Sequence, residues 1–302
     1  MKLSTVLENS IKGMGIESGS LENINESTTS ADIATFASQI GALIKKKYKT
    51  SLAYELCDVQ PLNTPVGKVF ILDKELQDEV TNKWKFTVKQ TTVEAATKTA
   101  NTGFTNEAWQ DLNAMFGEDA NDTCANVLAK VSASSETTDL LALLNDNAVS
   151  LGNIAASSYE DIHTYVGTAI SKINQQTFRT MEAFAIVPAK MAGQYIIDPN
   201  YFVTDSLETT SQYLQYKFAK TKIYVNPDTE DMNIYVGVNG REPGTSSVIF
   251  SPYQYTVSPA IDPATGINYL YVFNRYGITM NPLHTEDDPM LYKFTFTLPF
   301  ES

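Results

Sequence analysis

The sequence predicts a protein of the α+β class, with helices in the middle of the chain and antiparallel strands towards its end. Apolar residues recur at helical spacing over 105–178. After residue 183 the chain changes to short β-branched and aromatic runs, separated by turn clusters such as NPDTED and NGREPG. This order argues against a doubly wound parallel sheet.

Composition indicates a folded protein of one large or two ordinary domains. The 302 residues are 43% hydrophobic and 19% charged. No apolar run approaches the ~18 residues of a membrane span, and the start lacks the pattern of a secretory leader. Cys57 and Cys124 are too few for a disulfide framework and are expected to be buried thiols.

The charge is acidic. A net charge of −13, from 35 acidic and 22 basic residues, repels polyanions and argues against a protein that reads nucleic-acid sequence. The same sign suits a container for DNA, because a basic inner wall would adhere to its contents.

The first 40 residues hold little that could form a core. Ser, Thr, Asn, Glu and Gly dominate, and Phe36 is the only aromatic residue among them. Such a segment is either a solvated tail or an arm that becomes ordered on a neighbouring subunit. A basic run follows at Lys45, Lys46, Lys47 and Lys49. It is either a solvated helix end or a contact with acidic groups of a neighbour or with DNA.

Residues 68–102 are predicted to form a long hairpin. Pro61, Pro65 and Gly67 precede it, and its limbs, KVFIL and KWKFTVKQTTV, have strand propensity but few large apolar residues. With about 17 residues per limb it could extend roughly 55 Å. Because an isolated two-stranded ribbon is marginal in water, it must rest on another surface or fold back onto its own domain.

Three helices are predicted. Thr105 caps a short one that carries Trp109, Leu112 and Phe116. Asp119 caps a second, in which SASSETTD is a poor helix former; continued to Asn147, it would span roughly 40 Å. Its apolar stripe is Cys124, Val127, Leu128 and Val131, followed by Leu140, Leu141 and Leu144. A third, over 161–178, aligns Ile162, Val166, Ile170 and Ile173.

The predicted strands alternate or run continuously apolar. In LYKFTFTL, Tyr292, Phe294 and Phe296 lie opposite Lys293, Thr295 and Thr297. The six strand segments are AFAIV (183–187), TKIYV (221–225), NIYVGV (233–238), SVIF (247–250), NYLYVF (268–273) and LYKFTFTL (291–298).

No arrangement of residues indicates catalysis. The only histidines, His163 and His284, have no partners at triad or zinc spacing, and no GxGxxG after a strand, GxxxxGK[ST] or GxSxG motif occurs. Two acidic clusters, at 228–231 and 286–288, could bind a hard cation but lack the spacing of an EF-hand, so solvated turns are favoured. We expect no enzyme activity, catalytic residue, cofactor or metal.

Several stretches, taken in order, resemble the major capsid proteins of T-even-like tailed bacteriophages (Caudoviricetes). They make up about a quarter of the chain and are spread from residue 52 to residue 283. They are LAYELCDVQPLNTPVGKVF (52–70), EAWQDLNAMFGEDANDTCANVLA (107–129), IYVGVNG (234–240), SPYQYTVSPAIDP (251–263) and NRYGITMNPL (274–283).

The resemblance implies an HK97-like capsid fold. The expected parts are an N-terminal arm (1–50), a segment leading into the peripheral domain (51–66), an extended E-loop hairpin (67–103), a peripheral domain with the spine helix (104–150), an axial domain (151–265) and peripheral-domain return strands (266–302). The sequence departs from the family in two ways: 68–102 leaves no room for an inserted E-loop domain, and a long cleaved leader is short or missing. If a maturation protease cuts, Ile24-Asn25-Glu26 is the expected site, with cleavage after Glu26.

The implied function is structural. Identical chains would form hexamers and pentamers of an icosahedral head around double-stranded DNA in the virion, assembled in the host cytoplasm with portal, scaffold and decoration or vertex proteins and without a membrane. The expected inter-subunit contacts are Trp84, Lys85, Phe86, Lys45, Lys46, Lys47, Arg275 and Tyr276. Alternatives are an encapsulin-like compartment, a pentamer-only vertex paralogue, and a β-rich glycan-binding or enzymatic domain.

Overall fold

The computed structural model describes about three fifths of the 302 residues. The described residues are 51–78, 83–105, 120–155, 159–177, 182–189, 215–218, 221–226, 231–239, 245–262 and 267–297.

The described elements begin with α1 (Leu52–Leu56), followed by the long helix α2 (Ala120–Asn147) and by α3 (Tyr159–Thr177). The strands before α3 are β1 (Asp58–Val59), β2 (Val66–Asp78), β3 (Lys83–Glu94), β4 (Ala96–Phe104) and β5 (Val149–Ala155). Those after it are β6 (Ala183–Pro188), β7 (Gln215–Phe218), β8 (Thr221–Asn226), β9 (Asn233–Val238), β10 (Val248–Ile261), β11 (Asn268–Met280) and β12 (Leu291–Thr297).

The strands form three sheets. Their orders are β5-β12-β9-β6-β8-β7, β1-β10-β11-β4, and the pair β2-β3. The six-stranded sheet is mixed, because β6 runs parallel to β8 and β12 parallel to β5, whereas β9 is antiparallel to both β6 and β12. The prediction of antiparallel strands was therefore wrong for these pairs, since side-chain periodicity identifies a strand but not the direction of its partner.

The chain divides into two compact units. One contains Thr97–Ser132 and Gln254–Asn274, and the other contains Thr50–Ala96, Ala133–Tyr253 and Arg275–Ser302. We call them the smaller and the larger unit. The helix α2 and the strands β10 and β11 each contribute residues to both.

In the larger unit, helices cover both faces of the six-stranded sheet. Ala185 and Val187 of β6 pack in a cluster with Ile173 of α3. The alternate residues Phe184 and Ile186 pack in a second cluster, which also holds residues of α1 and the last turns of α2. Because β6 is buried on both faces, its sequence AFAIV is continuously apolar rather than alternating.

In the smaller unit, α2 packs on the sheet that contains β11. Leu128 and Ala129 contact Leu270 and Val272, with Ala100, Tyr255 and Val257 at the margin of the cluster. These residues give the smaller unit a core of its own.

The second predicted helix is continuous to Asn147 in α2. Its SASSETTD stretch remains helical, and the Thr137 hydroxyl donates to the Ala133 carbonyl at 2.8 Å. The predicted apolar stripe is partly wrong: Leu128 is buried, but Val127 and Val131 are each 44% exposed. The buried side of the helix instead includes the polar residues Ser132, Glu136 and Thr137.

The predicted third helix is confirmed by α3, in which Val166 and Ile173 are buried. The predicted strands are present, and β10 and β11 are longer than expected. The short helix predicted around Trp109 lies outside the described residues. Within the part of the chain that the structure describes, no helix is long and apolar enough to cross a membrane.

The expected length of the hairpin limbs needs correction. The hairpin limbs contain 13 and 12 residues, not about 17, because Ala96–Phe104 leaves the hairpin and joins the four-stranded sheet as β4. The strand β12 pairs with β5 and β9 in the six-stranded sheet. A strand can pair with strands that are distant in sequence, so the sequence alone does not show which sheet each strand joins.

Candidate assembly surface

Among the strands that the structure describes, β2 and β3 pair only with each other, as a two-stranded ribbon over 66–94. The antiparallel register is continuous from Val66 opposite Glu94 to Leu76 opposite Trp84, with a shift just before Asp78. Thirteen residues of strand extend about 40 Å at ~3.3 Å per residue. We call this pair the ribbon.

One face of the ribbon is anchored within the larger unit. Val69, Ile71 and Val93 are 2–3% exposed and pack with Leu62 and Ile249. The Ala95 amide donates to the Pro65 carbonyl at 2.8 Å and closes the base of the ribbon. The anchored face explains how a two-stranded sheet can be held in place without a third strand.

The opposite face carries exposed apolar side chains. Val66 is 52% exposed, Phe70 57%, Leu72 46% and Val88 64%. Residues directly opposite each other in an antiparallel pair share a face, and Leu72 lies opposite Val88. We call the surface formed by Val66, Phe70, Leu72 and Val88 the apolar face of the ribbon.

Polar groups along the ribbon stabilise it little. Lys89 pairs with Asp73 at 3.3 Å, with both side chains accessible to solvent, and Lys68 donates to the Gln90 amide oxygen at 3.5 Å. Exposed pairs of this kind contribute about 0–1 kcal/mol. The ribbon therefore depends on its anchored face.

The expected contact residues of the ribbon are only partly described. The backbone register places Trp84 opposite Leu76 and Phe86 opposite Lys74, in the half of the ribbon far from Ala95. Lys85 is exposed. Lys45, Lys46, Lys47 and the expected cleavage position Glu26 lie outside the described residues.

The expected contacts Arg275 and Tyr276 have different environments. The Arg275 guanidinium carbon lies 5.0 Å from the centre of the Tyr253 ring, and the side chain is partly exposed. Tyr276 is 2% exposed, and its hydroxyl donates to the Asp139 carboxylate at 2.7 Å. The Tyr276 ring belongs to the subunit's own core, which corrects its expected role as an inter-subunit contact.

Sequence reasoning missed an aromatic row in the smaller unit. Tyr269, Tyr271 and Phe273 follow one another on one face of β11, with ring centres 6.1 and 6.4 Å apart. Phe273 is 37% exposed, whereas the alternate residues Leu270 and Val272 are buried. The alternation in NYLYVF was the available signal, but it did not indicate which face was covered.

The titratable groups in the cores are structural. Burial raises the pKa of Tyr54 to about 12 and raises the pKa of the Cys57 thiol and of Tyr224. Of the two cysteines, Cys57 is buried and free as expected, and the side chain of Cys124 is not described. Among the described residues, no group of three His, Cys, Asp or Glu side chains could hold a metal ion.

Of the acidic cluster at 228–231, Asp231 is the residue that the structure describes. Its carboxylate accepts hydrogen bonds from the Asn233 amide at 2.9 Å, the Tyr235 hydroxyl at 2.9 Å and the Asn226 side chain at 3.0 Å. Asp231 thus organises a turn. Asp228 and Glu230 lie outside the described residues.

Several solved structures share the fold of this chain. A chain from Mycobacterium phage Che8 has a TM-score of 0.52 at 12% identity, covering 92% of this chain and 96% of that one. A virus-like particle from Pyrococcus furiosus has a TM-score of 0.58 at 11% identity, covering 86% and 99%. A chain from Mycobacterium phage Bobi has a TM-score of 0.53 at 10% identity, covering 96% and 98%. The likeness confirms an HK97-like capsid fold of the α+β class.

The chain belongs to the family of the major capsid protein Gp23, whose model matches residues 72–295. It is therefore a structural protein of a tailed-phage capsid, it acts as a capsid oligomer, and it is located in the virion. No curated protein matches the sequence. The expected family and structural function are confirmed.

Proposed function

We propose that this chain forms the hexamers and pentamers of an icosahedral phage head that encloses double-stranded DNA, and that the ribbon joins neighbouring subunits. The observation that carries the proposal is the apolar face: Val66, Phe70, Leu72 and Val88 are about half exposed on a sheet of only two strands. In a monomer this surface stays in water.

The energetic argument is additive over many weak contacts. Fully burying a Val, Leu or Phe side chain contributes about 1.5–3 kcal/mol, so covering the exposed half of each contributes on the order of 1 kcal/mol. The four side chains of one ribbon thus supply a modest contact. In a closed shell each subunit touches several others, so dissociating one contact leaves the subunit held by the rest at high effective concentration.

We extend the proposal to the roles of other regions of the chain in the same assembly. We assign 67–103 as the E-loop, although β4 within it belongs to the four-stranded sheet, and α2 as the spine helix. We assign 1–50 as an arm in which Lys45, Lys46 and Lys47 meet acidic groups of a neighbour. Cleavage after Glu26 remains a prediction.

The acidic net charge of the subunit supports the proposal that the shell encloses DNA. A net charge of −13 on each subunit disfavours adhesion of DNA to the wall. The chain would enclose DNA without recognising its sequence and without enzymatic activity. Portal, scaffold and decoration or vertex proteins would be its partners during assembly in the host cytoplasm.

The direct test removes part of the ribbon. Deleting all of 75–95 would also remove Val93, which is 3% exposed in the core. The register permits a smaller change: Lys74 lies opposite Phe86, so 75–85 can be replaced by an Asn-Gly turn while the anchored base is kept. We expect a folded, soluble subunit that forms no closed shells by electron microscopy. Normal shells would show that the distal half of the ribbon is dispensable and would confine the contact to the apolar face, which this variant keeps.

A second measurement keeps the ribbon intact. Backbone hydrogen exchange at Trp84 and Phe86 should be fast in free subunits and slow in shells. Equal exchange in both states would place the ribbon outside the inter-subunit contacts.

The contents of the particles and the copy number of the chain distinguish the phage head from the alternative functions. Double-stranded DNA inside supports a phage head, a cargo enzyme inside would support the encapsulin-like alternative, and a copy number restricted to the vertices would support the pentamer-only paralogue.

A further inference from the structure

Arg275 of β11 lacks an ion-pair partner within the described residues. Its guanidinium lies over the Tyr253 ring, and its Nε is buried without a hydrogen-bond partner. An arginine has five N–H donors and no acceptor, and ring stacking satisfies none of those donors. The guanidinium is thus held in place on one side by the ring, with its Nε–H left without an acceptor and part of the side chain open to solvent.

This situation is unusual for so acidic a chain. With 35 acidic and 22 basic residues, carboxylates outnumber cations. A guanidinium fixed by stacking matches the bidentate geometry of a carboxylate, and a buried donor left unsatisfied is costly. Because Nε itself is shielded from solvent, a group of another subunit would meet the exposed part of the Arg275 side chain, where a carboxylate is the complementary partner.

The same unit presents a suitable anionic group. Glu286, Asp287 and Asp288 are three consecutive exposed residues, and no ion pair of their carboxylates occurs within the described chain. The loop is held by its backbone and not by its acids. The Asp288 amide donates to the Thr285 hydroxyl at 3.0 Å, and the Thr285 amide donates to the Asp288 carbonyl at 3.2 Å.

His284 fixes the loop at its base. The Met290 amide donates to Nδ1 at 3.0 Å, so the ring proton is on Nε2, which donates to the Asn147 carbonyl at 3.1 Å. The acidic loop, defined as 286–288, is therefore held in position by these hydrogen bonds, and its three side chains are exposed.

We propose that Arg275 of one subunit binds the acidic loop of a second copy of this chain as an inter-subunit ion pair. The inference rests on the proposed self-assembly. Subunits of charge −13 repel one another, so a local contact of opposite charge both offsets the repulsion and selects the orientation of approach. Because every copy carries both partners, the contact can repeat around a closed ring.

A charge-exchange experiment tests the contact in the full-length chain. Arg275→Glu should reduce the yield of shells on the order of tenfold or more, because it places like charges opposite each other. The triple change Glu286→Lys, Asp287→Lys and Asp288→Lys should reduce it similarly. Combining Arg275→Glu with the triple change should restore most of the wild-type yield.

Two controls separate this effect from others. Lys172→Glu on α3 makes the same change in net charge at an exposed position and should assemble normally. Arg275→Lys keeps the charge but loses the bidentate geometry and should be affected less than Arg275→Glu. Circular dichroism and urea unfolding of each free subunit establish that it is folded.

The outcomes are distinct. Normal yield from Arg275→Glu, or failure of the combined variant to recover when all its subunits fold, would overturn the proposed contact. In the second case the anionic partner is another group, such as a DNA phosphate. If the unmodified chain itself forms no shells, the proposed function fails rather than this contact.

Discussion

Leu72 and Val88 lie directly opposite each other in the ribbon, and both are exposed, to 46% and 64%. Their neighbours behave differently: Ile71, one residue before Leu72, is 2% exposed in the core. Because side chains alternate along a strand, one ribbon supplies an anchored face and an apolar face with different physical roles. Substitutions on the two faces should therefore have separable effects.

Replacing Leu72 and Val88 together by Ser should block assembly without unfolding the subunit. Both side chains are already exposed, so urea unfolding should shift by less than about 1 kcal/mol. Sedimentation should show loss of shells. The matched change Ile71→Ser removes a buried side chain and should cost about 2–4 kcal/mol. Normal shells from the double variant would exclude the apolar face from the contact.

Gly277→Ala should destabilise the junction between β11 and the ribbon. An added Cβ would contact Val93 Cγ1 and lie 2.8 Å from the Glu94 carbonyl oxygen, where backbone would have to move. We expect a loss of about 1–3 kcal/mol in urea unfolding. Gly167→Ala in α3 is the control: an added Cβ there meets nothing within 4 Å, so it should stabilise by about 0.5–1 kcal/mol. Equal effects would contradict the close approach.

Tyr276→Phe should destabilise the larger unit by about 1–3 kcal/mol, because it removes the hydrogen bond to the Asp139 carboxylate while leaving the ring in place. Thermal and urea unfolding measure the loss. Tyr269→Phe removes a hydroxyl from a partly exposed ring and should change stability little. A neutral Tyr276→Phe substitution would mean that the hydrogen bond contributes nothing net.

Stability should fall in alkali. Burial raises the pKa of Tyr54 to about 12 and raises the pKa of Tyr224 and Tyr276 as well. In the unfolded state the tyrosines ionise with a pKa of about 10, which is below the raised pKa of the buried tyrosines. The stabilisation that comes from burying the neutral rings is therefore complete below that pKa and is lost as pH rises above it. Urea unfolding at increasing pH and ultraviolet difference spectra of the phenolate measure this. Unchanged stability after the exposed tyrosines have ionised would contradict it.

His284 should make the larger unit sensitive to acid. Burial lowers its pKa, against opposing effects of the Asn147 carbonyl and Asp288. The stabilisation is complete above the unfolded pKa of about 6.5 and is lost as pH falls through the folded pKa, because the unfolded state binds the proton more readily. Protonation of Nδ1 would also break its bond from the Met290 amide.

An NMR titration tests this directly, with His163→Gln used to assign the two histidines. His284→Gln should weaken the acid dependence of unfolding. A His284 pKa at or above its ordinary value would contradict the buried, neutral assignment.

Much of the fold was predictable from local patterns. The spacing of Val166 and Ile173 predicted α3, and the alternation of Tyr292 with Lys293 predicted β12, because these periodicities follow from one covered face. The exposed valines of α2 were mispredicted. Val127 and Val131 fit an apolar stripe, whereas the covered face includes Glu136 and Thr137, whose burial depends on tertiary contacts.

The candidate surface was predictable only in outline. The sequence indicated a long hairpin with too few apolar residues for a core, and so a need for a partner. It did not separate the faces of Ile71 and Leu72, since that depends on where Ile249, distant in sequence, packs against the ribbon. The environments of Arg275 and Tyr276, adjacent in the chain, were likewise indistinguishable from sequence.

By itself the sequence determined the class of the protein, its main helices and strands and its family resemblance, because local periodicity and ordered motifs are encoded in neighbouring residues. The tertiary structure alone decided that β12 pairs with β5 and β9, that Tyr276 bonds Asp139, and that Leu72 faces solvent while Ile71 does not. These relationships join residues far apart in the chain, and their free energies arise only when burial removes water from one side of each element.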